Sequence, residues 1–393
     1  MNTSVPSVAT PQSTTAEPTQ LSSYRSQEQQ IAAPETVRKM RLRRGMTLAQ
    51  ISEAVGKQPS WASKIEKGKL DLKGEDLEAY ASILEVPTTL LTIDLPSVES
   101  QGMMFRKYRV PQKTVDMLEA EASIRLHVID KVLEASKQKK APTFKQYRAE
   151  NDDQVVQVAH QIRAQWGVSP DQPLTNIAGY LESEGIILTG LPIQIAKVNG
   201  VSYWHDEQTA PLVMLTHATT DNTRRFTLAH EYAHLVLDKY SPEPGDTPKY
   251  IEDRADLFAG ELLAPYESIK HQFLSLKTGD LDGLMNLSRY WGLHPKSFVT
   301  RASLRRDISK DQASSWYKRL NGSYRHIINN EAPPYPVRFT AMSDILNYLR
   351  TYSWNLKSLL AITHVSKHDL EAVVGVDNEI MALAGRPALR VMT

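Results

Sequence analysis

The stretch Arg224-Arg225-Phe226-Thr227-Leu228-Ala229-His230-Glu231-Tyr232-Ala233-His234 places H-E-x-x-H at the centre of a helical pattern. At 3.6 residues per turn His230 and His234 stand one above the other on one face, where both imidazoles reach a single ion and Glu231 flanks it. That is the outline of a zinc hydrolase site, which needs a third protein donor and keeps one position open for water. The chain has no cysteine, so the donors must be His and carboxylate, and disulfides and a thiolate nucleophile are excluded together.

A third donor follows in Ile251-Glu252-Asp253-Arg254-Ala255-Asp256-Leu257-Phe258-Ala259-Gly260-Glu261-Leu262-Leu263. Its apolar positions Ala255, Phe258, Ala259, Leu262 and Leu263 repeat at three and four, which predicts an amphipathic helix with Glu252 and Asp256 on one face. Glu252 comes eighteen residues after His234, enough for the chain to turn back as an antiparallel or crossing helix. Glu252 is therefore read as the third metal ligand and Asp256 as the carboxylate that orients a ligand imidazole. The competing reading is that both acids only solvate a surface helix. With one zinc ion per chain, the site would polarise a carbonyl and lower the pKa of water towards ~7. Glu231 would take the proton and later pass it to the leaving amine, which is peptide hydrolysis. His205, His217 and Tyr203 lie near predicted strand ends and receive no assigned role.

These residues need a scaffold. Val155 to Trp166 and Leu174 to Glu184 read as helices, followed by short strands at Ile186 to Leu188, Gly200 to Trp204 and Leu212 to Thr216 before the H-E-x-x-H helix. The pattern is that of an α+β domain with a small, antiparallel sheet. Further upstream, Thr36 to Arg44 reads as a helix stopped at Gly45. Thr47 caps a second helix with Leu48, Ile51 and Val55 inward, and Pro59 opens a third carrying Trp61, Ala62 and Ile65, closed by Gly68. Short helices about a glycine turn are the helix-turn-helix pattern.

Charge singles out the same segment. The whole chain is nearly neutral at a formal +1, yet Glu35 to Leu70 holds nine Lys or Arg against three Glu. That surplus suits a polyanion partner, with a solvated basic face as the plainer alternative. If that partner is DNA, Gln58, Ser60 and Lys64 are able by helix position to face its major groove, and Arg43, Arg44 and Lys57 to contact phosphates. A three-helix unit that contacts another protein instead is the other reading.

At 393 residues the chain exceeds the roughly 100 to 200 expected of one domain. Its expected divisions are a disordered Ser/Thr/Pro/Gln tail over 1–33, the helix-turn-helix domain over 34–95, a helical linker over 96–150, the α+β metal domain over 151–310 and a helical subdomain over 311–393. The linker's Leu118, Ala122, Ile124, Leu126, Ile129, Val132 and Leu133 form an apolar stripe that calls for a packing partner, a second copy of the chain among the candidates. In the last division, LLAITHVSKHDLEAVVG faintly echoes another helix-turn-helix, against the commoner role of a packing or dimerisation subdomain. No apolar run approaches the ~18 residues of a membrane span, and no basic-then-apolar leader is visible. A cytoplasmic, nucleoid-associated protein with no membrane partner is expected.

Residues from about Val155 to Arg305 resemble the ImmA/IrrE family of zinc metallopeptidase domains, through RRFTLAHEYAHLVLD, the E-x-x-A-D-x-F-A run with LLAP after it, and the NGVSYW and PLVML strands. Residues 35 to 92 resemble the Xre (Cro/CI-type) helix-turn-helix family, through RLRRGMTLAQISEAVG and SKIEKGK. The resemblance implies a multidomain chain: an all-α DNA-binding domain, a helical linker, an α+β zincin-like domain with a small sheet, and a helical C-terminal subdomain. It implies a regulator, most simply a homodimer, that binds double-stranded operator DNA and carries a peptidase acting on a protein substrate such as a transcriptional repressor, in a stress, phage or toxin-antitoxin type response. The alternative is a transcription factor whose zinc fold is a non-catalytic sensor. In the family the metal ligands are the two His and the following Glu, here His230, His234 and Glu252, with Glu231 as base. This chain departs at several points: Leu48 stands where the family has a phosphate-clamping Gln, Ser52 where Ala is usual, Ala233 where Gly is frequent, and Arg254 where an acid is common.

Overall fold

The computed structural model describes residues 30–99, 103–104, 110–138, 141–191, 198–204, 209–216, 220–238, 247–322 and 334–374. Residues 1–29 of the expected tail, His205 and His217 lie outside them. The first five helices are α1 (Pro34–Arg43), α2 (Leu48–Ala54), α3 (Trp61–Glu66), α4 (Gly74–Leu84) and α5 (Thr88–Leu91), followed by the short strand β1 (Met103–Met104). The long α6 (Gln112–Ser136) leads to α7 (Asp152–Gln165), α8 (Ile177–Ser183) and strands β2 (Ile187–Leu191), β3 (Gly200–Tyr203) and β4 (Leu212–Thr216). Then come α9 (Asp221–Leu237), α10 (Pro248–Leu263), α11 (Tyr266–Leu274), α12 (Leu281–Trp291), α13 (Pro295–Leu304) and α14 (Lys310–Asn321). The last helices are α15 (Ala341–Thr351), α16 (Leu356–Thr363) and α17 (Lys367–Val374).

The helix boundaries follow local chemistry. Thr47 caps α2 by accepting from the Gln50 amide, and the Gln50 side chain accepts from the Thr47 amide, a reciprocal capping box. Gly56, at φ +75°, turns the chain between α2 and α3, a backbone angle that a side chain would strain. Ser52 is buried. Its hydroxyl accepts from the Ala62 amide at 3.2 Å and lies 3.4 Å from the Pro59 carbonyl, so it ties α2 to α3.

The sheet runs β1-β3-β4-β2. The expected antiparallel arrangement holds for β1–β3 and β3–β4, but β2 pairs with β4 in parallel, Ile187 opposite Leu212 through Leu191 opposite Thr216. β4 lies between β3 and β2, and because β3 begins at the end of the sheet where β2 finishes, β3 runs opposite to β2 and the returning β4 runs with it. Period-2 alternation sends Val201, Tyr203, Leu212 and Met214 into one core, and Leu188, Val213 and Leu215 into another. A sheet buried on both faces reads as nearly continuous apolar strands, as these do.

Helix α9 and its neighbours cover one face of the sheet. The other belongs to a core shared by the first five helices, α6 and the C-terminal helices. The apolar stripe of α6 is consequently filled from within the chain: Leu118, Ala122, Ile124, Ile129, Val132 and Leu133 are buried against α1 and the C-terminal helices, and a second copy is not needed to cover them.

Candidate metal centre and DNA-binding face

Helices α9 and α10 cross in extensive contact and carry the metal-site residues between them. His230 and His234 share one face of α9, and Glu252 reaches them from the first turns of α10. Their nearest ligand atoms all lie within 4.8 Å of one another. His230 Nε2 is 3.1 Å from His234 Nε2 and 3.5 Å from Glu252 Oε2. Two donors on one tetrahedral ion, each about 2.0–2.1 Å from it, stand about 3.3 Å apart, so these separations suit a zinc-sized ion.

The chemistry of the donors points the same way. His230 Nδ1 lies 2.8 Å from Asp256 Oδ1, and His234 Nδ1 lies 2.5 Å from Asp238 Oδ2. A carboxylate can only accept, so each Nδ1 carries a proton and each Nε2 is turned toward the other. The two Nε2 atoms, 3.1 Å apart, face one another and can share one cation, a proton or a divalent metal ion. Burial works against charge on His230, but the hydrogen bonds to Asp256 and Glu252 outweigh it and push its pKa up to about 10. The site favours positive charge at that atom.

The Glu231 side chain meets β3 and stays close enough to His230 and His234 to feel their charge. It is 3% exposed, and burial pushes its carboxyl above the ordinary value against the pull of His234, His230 and a hydrogen bond from Ser202. Ser202, on β3, donates from Oγ to Glu231 Oε2 at 2.8 Å. Gly200 lets β3 come this close: a Cβ there would stand 2.5 Å from the Thr227 methyl and 3.0 Å from Glu231 Oε1. Tyr203 is buried on the opposite face, its hydroxyl 3.5 Å from the Ser97 carbonyl, well away from Glu231. Asp238 and Arg254 join the site unforeseen. Arg254 Nη2 donates to Asp238 Oδ1, and both are buried. The spacing His234 to Asp238, four residues on the same helix, was the available signal for the first. Ser202 had none beyond its place in a predicted strand.

The DNA-binding face is less uniform. Gln58, Ser60 and Lys64 are exposed at the front of α3, where a major groove would meet them, and Lys67 and Lys69 are exposed just beyond. Lys57 is partly exposed, 2.7 Å from Asp76 and 5.7 Å from the Trp61 ring centroid. Arg44 is a third exposed, with one nitrogen 3.0 Å from Glu85 and another donating to the Leu84 carbonyl. Arg43 corrects the expectation: its guanidinium is buried, 2.6 Å from Glu121 and 2.7 Å from Asp369, and faces the protein instead of a phosphate. Arg41 is likewise bound to Glu66, and Lys39 donates to the Leu95 and Pro96 carbonyls, so part of the basic surplus is internal.

Comparison with known families agrees with both halves. A search of curated proteins finds no match. Residues 35–92 match a helix-turn-helix domain family, and residues 181–303, which include β2 through most of α13, match the IrrE N-terminal-like domain, a peptidase family. Among the described residues no helix is long and apolar enough to cross a membrane. The chain thus joins a helix-turn-helix domain over residues 35–92 to an IrrE N-terminal-like, peptidase-family domain over residues 181–303.

Proposed function

We propose that this protein is a DNA-binding transcriptional regulator carrying a zinc-dependent endopeptidase, with one zinc per chain held by His230, His234 and Glu252. The observation that carries the enzymatic part is Glu231, a buried carboxylate on the turn that also bears both histidines, next to a three-donor set that leaves a coordination position free. A purely structural metal site closes its shell with four protein donors and has no use for an adjacent base.

Zinc in this set supplies Lewis-acid polarisation of a peptide carbonyl and acidifies water. The chain's own residues do the rest. Glu231, held by Ser202 and raised by burial, takes a proton from the attacking water and returns it to the leaving amine. Asp256 keeps the His230 proton on Nδ1, so that Nε2 stays free to ligate.

The regulatory half places Gln58, Ser60 and Lys64 against operator bases, with Lys57 and Arg44 near phosphates and Lys67 and Lys69 added to the basic edge. The substrate is a protein, a transcriptional repressor being the class that gives a DNA-bound peptidase a regulatory outcome, and the protein works in the cytoplasm at the nucleoid as a homodimer. Divisions at 34–95, 96–150, 151–310 and 311–393 are part of the same proposal.

The test expresses the wild type and Glu231→Gln in cells that lack the endogenous protein and compares newly formed protein N-termini, alongside metal content and oligomer mass by native mass spectrometry. Cleavage products present with the wild type and missing with Glu231→Gln, with zinc in both, support the proposal. Zinc and DNA binding in both with identical N-termini would support the alternative, a transcription factor whose metal domain is a sensor.

A further inference from the structure

We propose that Asp238 and Arg254 are a positioning pair for the metal centre, tying the second histidine ligand on α9 to the helix that delivers the third ligand. The proposal rests on the reading of His230, His234 and Glu252 as a metal set.

The geometry is a relay through one carboxylate. Asp238 Oδ2 is 2.5 Å from His234 Nδ1, and its other oxygen accepts from Arg254 Nη2. Asp238 ends α9 and Arg254 lies two residues past Glu252 on α10, so the two hydrogen bonds span the helix crossing at the level of the ligands. The Arg254 guanidinium also lies over the Tyr250 ring, 5.4 Å from its centroid. It is therefore held on one side by an aromatic face and on the other by a carboxylate.

His230 is held differently. Its partner Asp256 sits on α10 itself and has a side chain 42% exposed, whereas that of Asp238 is 1% exposed. Each imidazole of α9 is thus connected to α10, His230 directly and His234 through Asp238 and Arg254. Glu252 leads this helical segment, with Arg254 two and Asp256 four residues after it, so both anchors lie within about one turn of the third ligand. A bare Asp238 in that environment would be costly, since an ionised carboxylate out of water needs a paired charge. Arg254 supplies it, and brings positive charge to a site otherwise lined by the carboxylates of Glu231, Glu252, Asp256 and Asp238.

A structural ion pair alone would stabilise the crossing without acting on the metal. The positioning role makes a different prediction, because freeing His234 to rotate or change tautomer weakens ligation itself, typically by 10–100-fold for such outer partners. The experiment uses the full chain as wild type, Asp238→Asn, Arg254→Gln and the milder Arg254→Lys. Zinc affinity is measured by competition with a chelator, ligand geometry by the visible absorption of the cobalt-substituted protein, and stability by thermal unfolding with metal removed. Expected are a 10–100-fold weaker zinc affinity and an altered cobalt spectrum in Asp238→Asn and Arg254→Gln, with a smaller shift in Arg254→Lys. If the variants unfold more readily without metal yet keep wild-type zinc affinity and cobalt spectrum, the pair is only a clasp and the proposal fails. If the wild type itself binds neither metal, the underlying metal reading fails instead. Should Asp238→Asn not fold, Arg254→Lys decides, since it keeps the charge while losing the planar fork that reaches Asp238.

Discussion

The metal centre and the DNA-binding face treat charge in opposite ways. At the metal centre His234, Glu231, Asp238, Glu252 and Arg254 are all buried, and each has a partner across α9, α10 or the sheet. On the front of α3, Gln58, Ser60 and Lys64 are exposed. Buried charge is expensive and persists only in a fixed geometry, whereas exposed charge is cheap and waits for a partner. The first arrangement prepares chemistry, and the second prepares an interface whose geometry a ligand completes. Arg43 teaches the boundary between them: it lies in the basic segment yet belongs by its contacts to the first kind.

The largest expected effect tests the prepared chemistry. Glu231→Gln preserves shape and the possibility of a hydrogen bond from Ser202 while removing the proton acceptor. It should reduce cleavage of an identified substrate by roughly 10²–10⁴-fold, with zinc content unchanged. Equal turnover by both proteins would remove the distinction drawn here, because the buried carboxylate would then be packing and not a base.

Arg43 tests whether a second buried cluster obeys the same rule. Glu121 is 2.6 Å from Arg43 and also accepts from Arg125, whose guanidinium reaches the Gly190 carbonyl on β2 at 2.6 Å. Removing Arg43 strands Glu121 and Asp369 with one cation fewer. Arg43→Ala should therefore destabilise the chain by about 3–5 kcal/mol, as loss of one member of a buried ion pair does. Lys64→Ala, on the exposed face, should stay within about 0.5 kcal/mol. Chemical denaturation of both variants checks the contrast, and equal stability would place Arg43 back among the exposed residues.

Acid sharpens the comparison further. Glu261, at the C-terminal end of α10, is lined by His160 at 3.1 Å, the Tyr266 amide at 3.0 Å and Arg301 at 2.7 Å. Burial alone would raise its pKa, but those partners hold it down at about 2, against 4.5 for the free group. A carboxyl with a depressed native pKa contributes stability that is complete above about 4.5 and is lost as pH falls toward 2. A shift of this size corresponds to about 3 kcal/mol. Unfolding followed across that window should show stability falling as acid is added, and Glu261→Gln should fall less steeply over the same interval. An identical slope in the two proteins would show that other groups govern the acid limb.

What the sequence showed in advance follows from the same division. Ligand spacing in H-E-x-x-H equals one helical turn and the α10 stripe repeats with the helical period, so both helices were readable from periodicity, and the need for a third donor pointed to Glu252, which the fold brings beside His230 and His234. Asp238 was readable in principle by its four-residue offset from His234. Arg254 was not, because its partner lies on another helix and nothing local marks it. Arg43 looked like its basic neighbours for the same reason: Glu121 and Asp369 are remote in sequence and become neighbours only when α1 docks on α6 and the C-terminal helices. The strands were found by their apolar runs, but the parallel β2–β4 pairing depends on which edge the β3–β4 hairpin takes, which strand composition does not encode.

The smallest expected effect concerns the exposed face, and it is a change of slope more than of stability. Each phosphate contact neutralised by a lysine releases counterions, so the logarithm of DNA affinity falls with the logarithm of salt in proportion to the number of contacts. Lys64→Ala should weaken binding to a defined operator. If it touches a phosphate, it should lower the salt slope by about one; if it reads a base edge, it should relax sequence preference and leave the slope nearly unchanged. Arg43→Ala, tested in the same titration at a concentration of protein that remains folded, should leave the slope alone because its guanidinium is already held by two carboxylates. A slope that drops for Arg43→Ala and not for Lys64→Ala would mean that the buried cluster opens on DNA, and the contrast between prepared chemistry and waiting interface would have to be redrawn around α1 instead of α3.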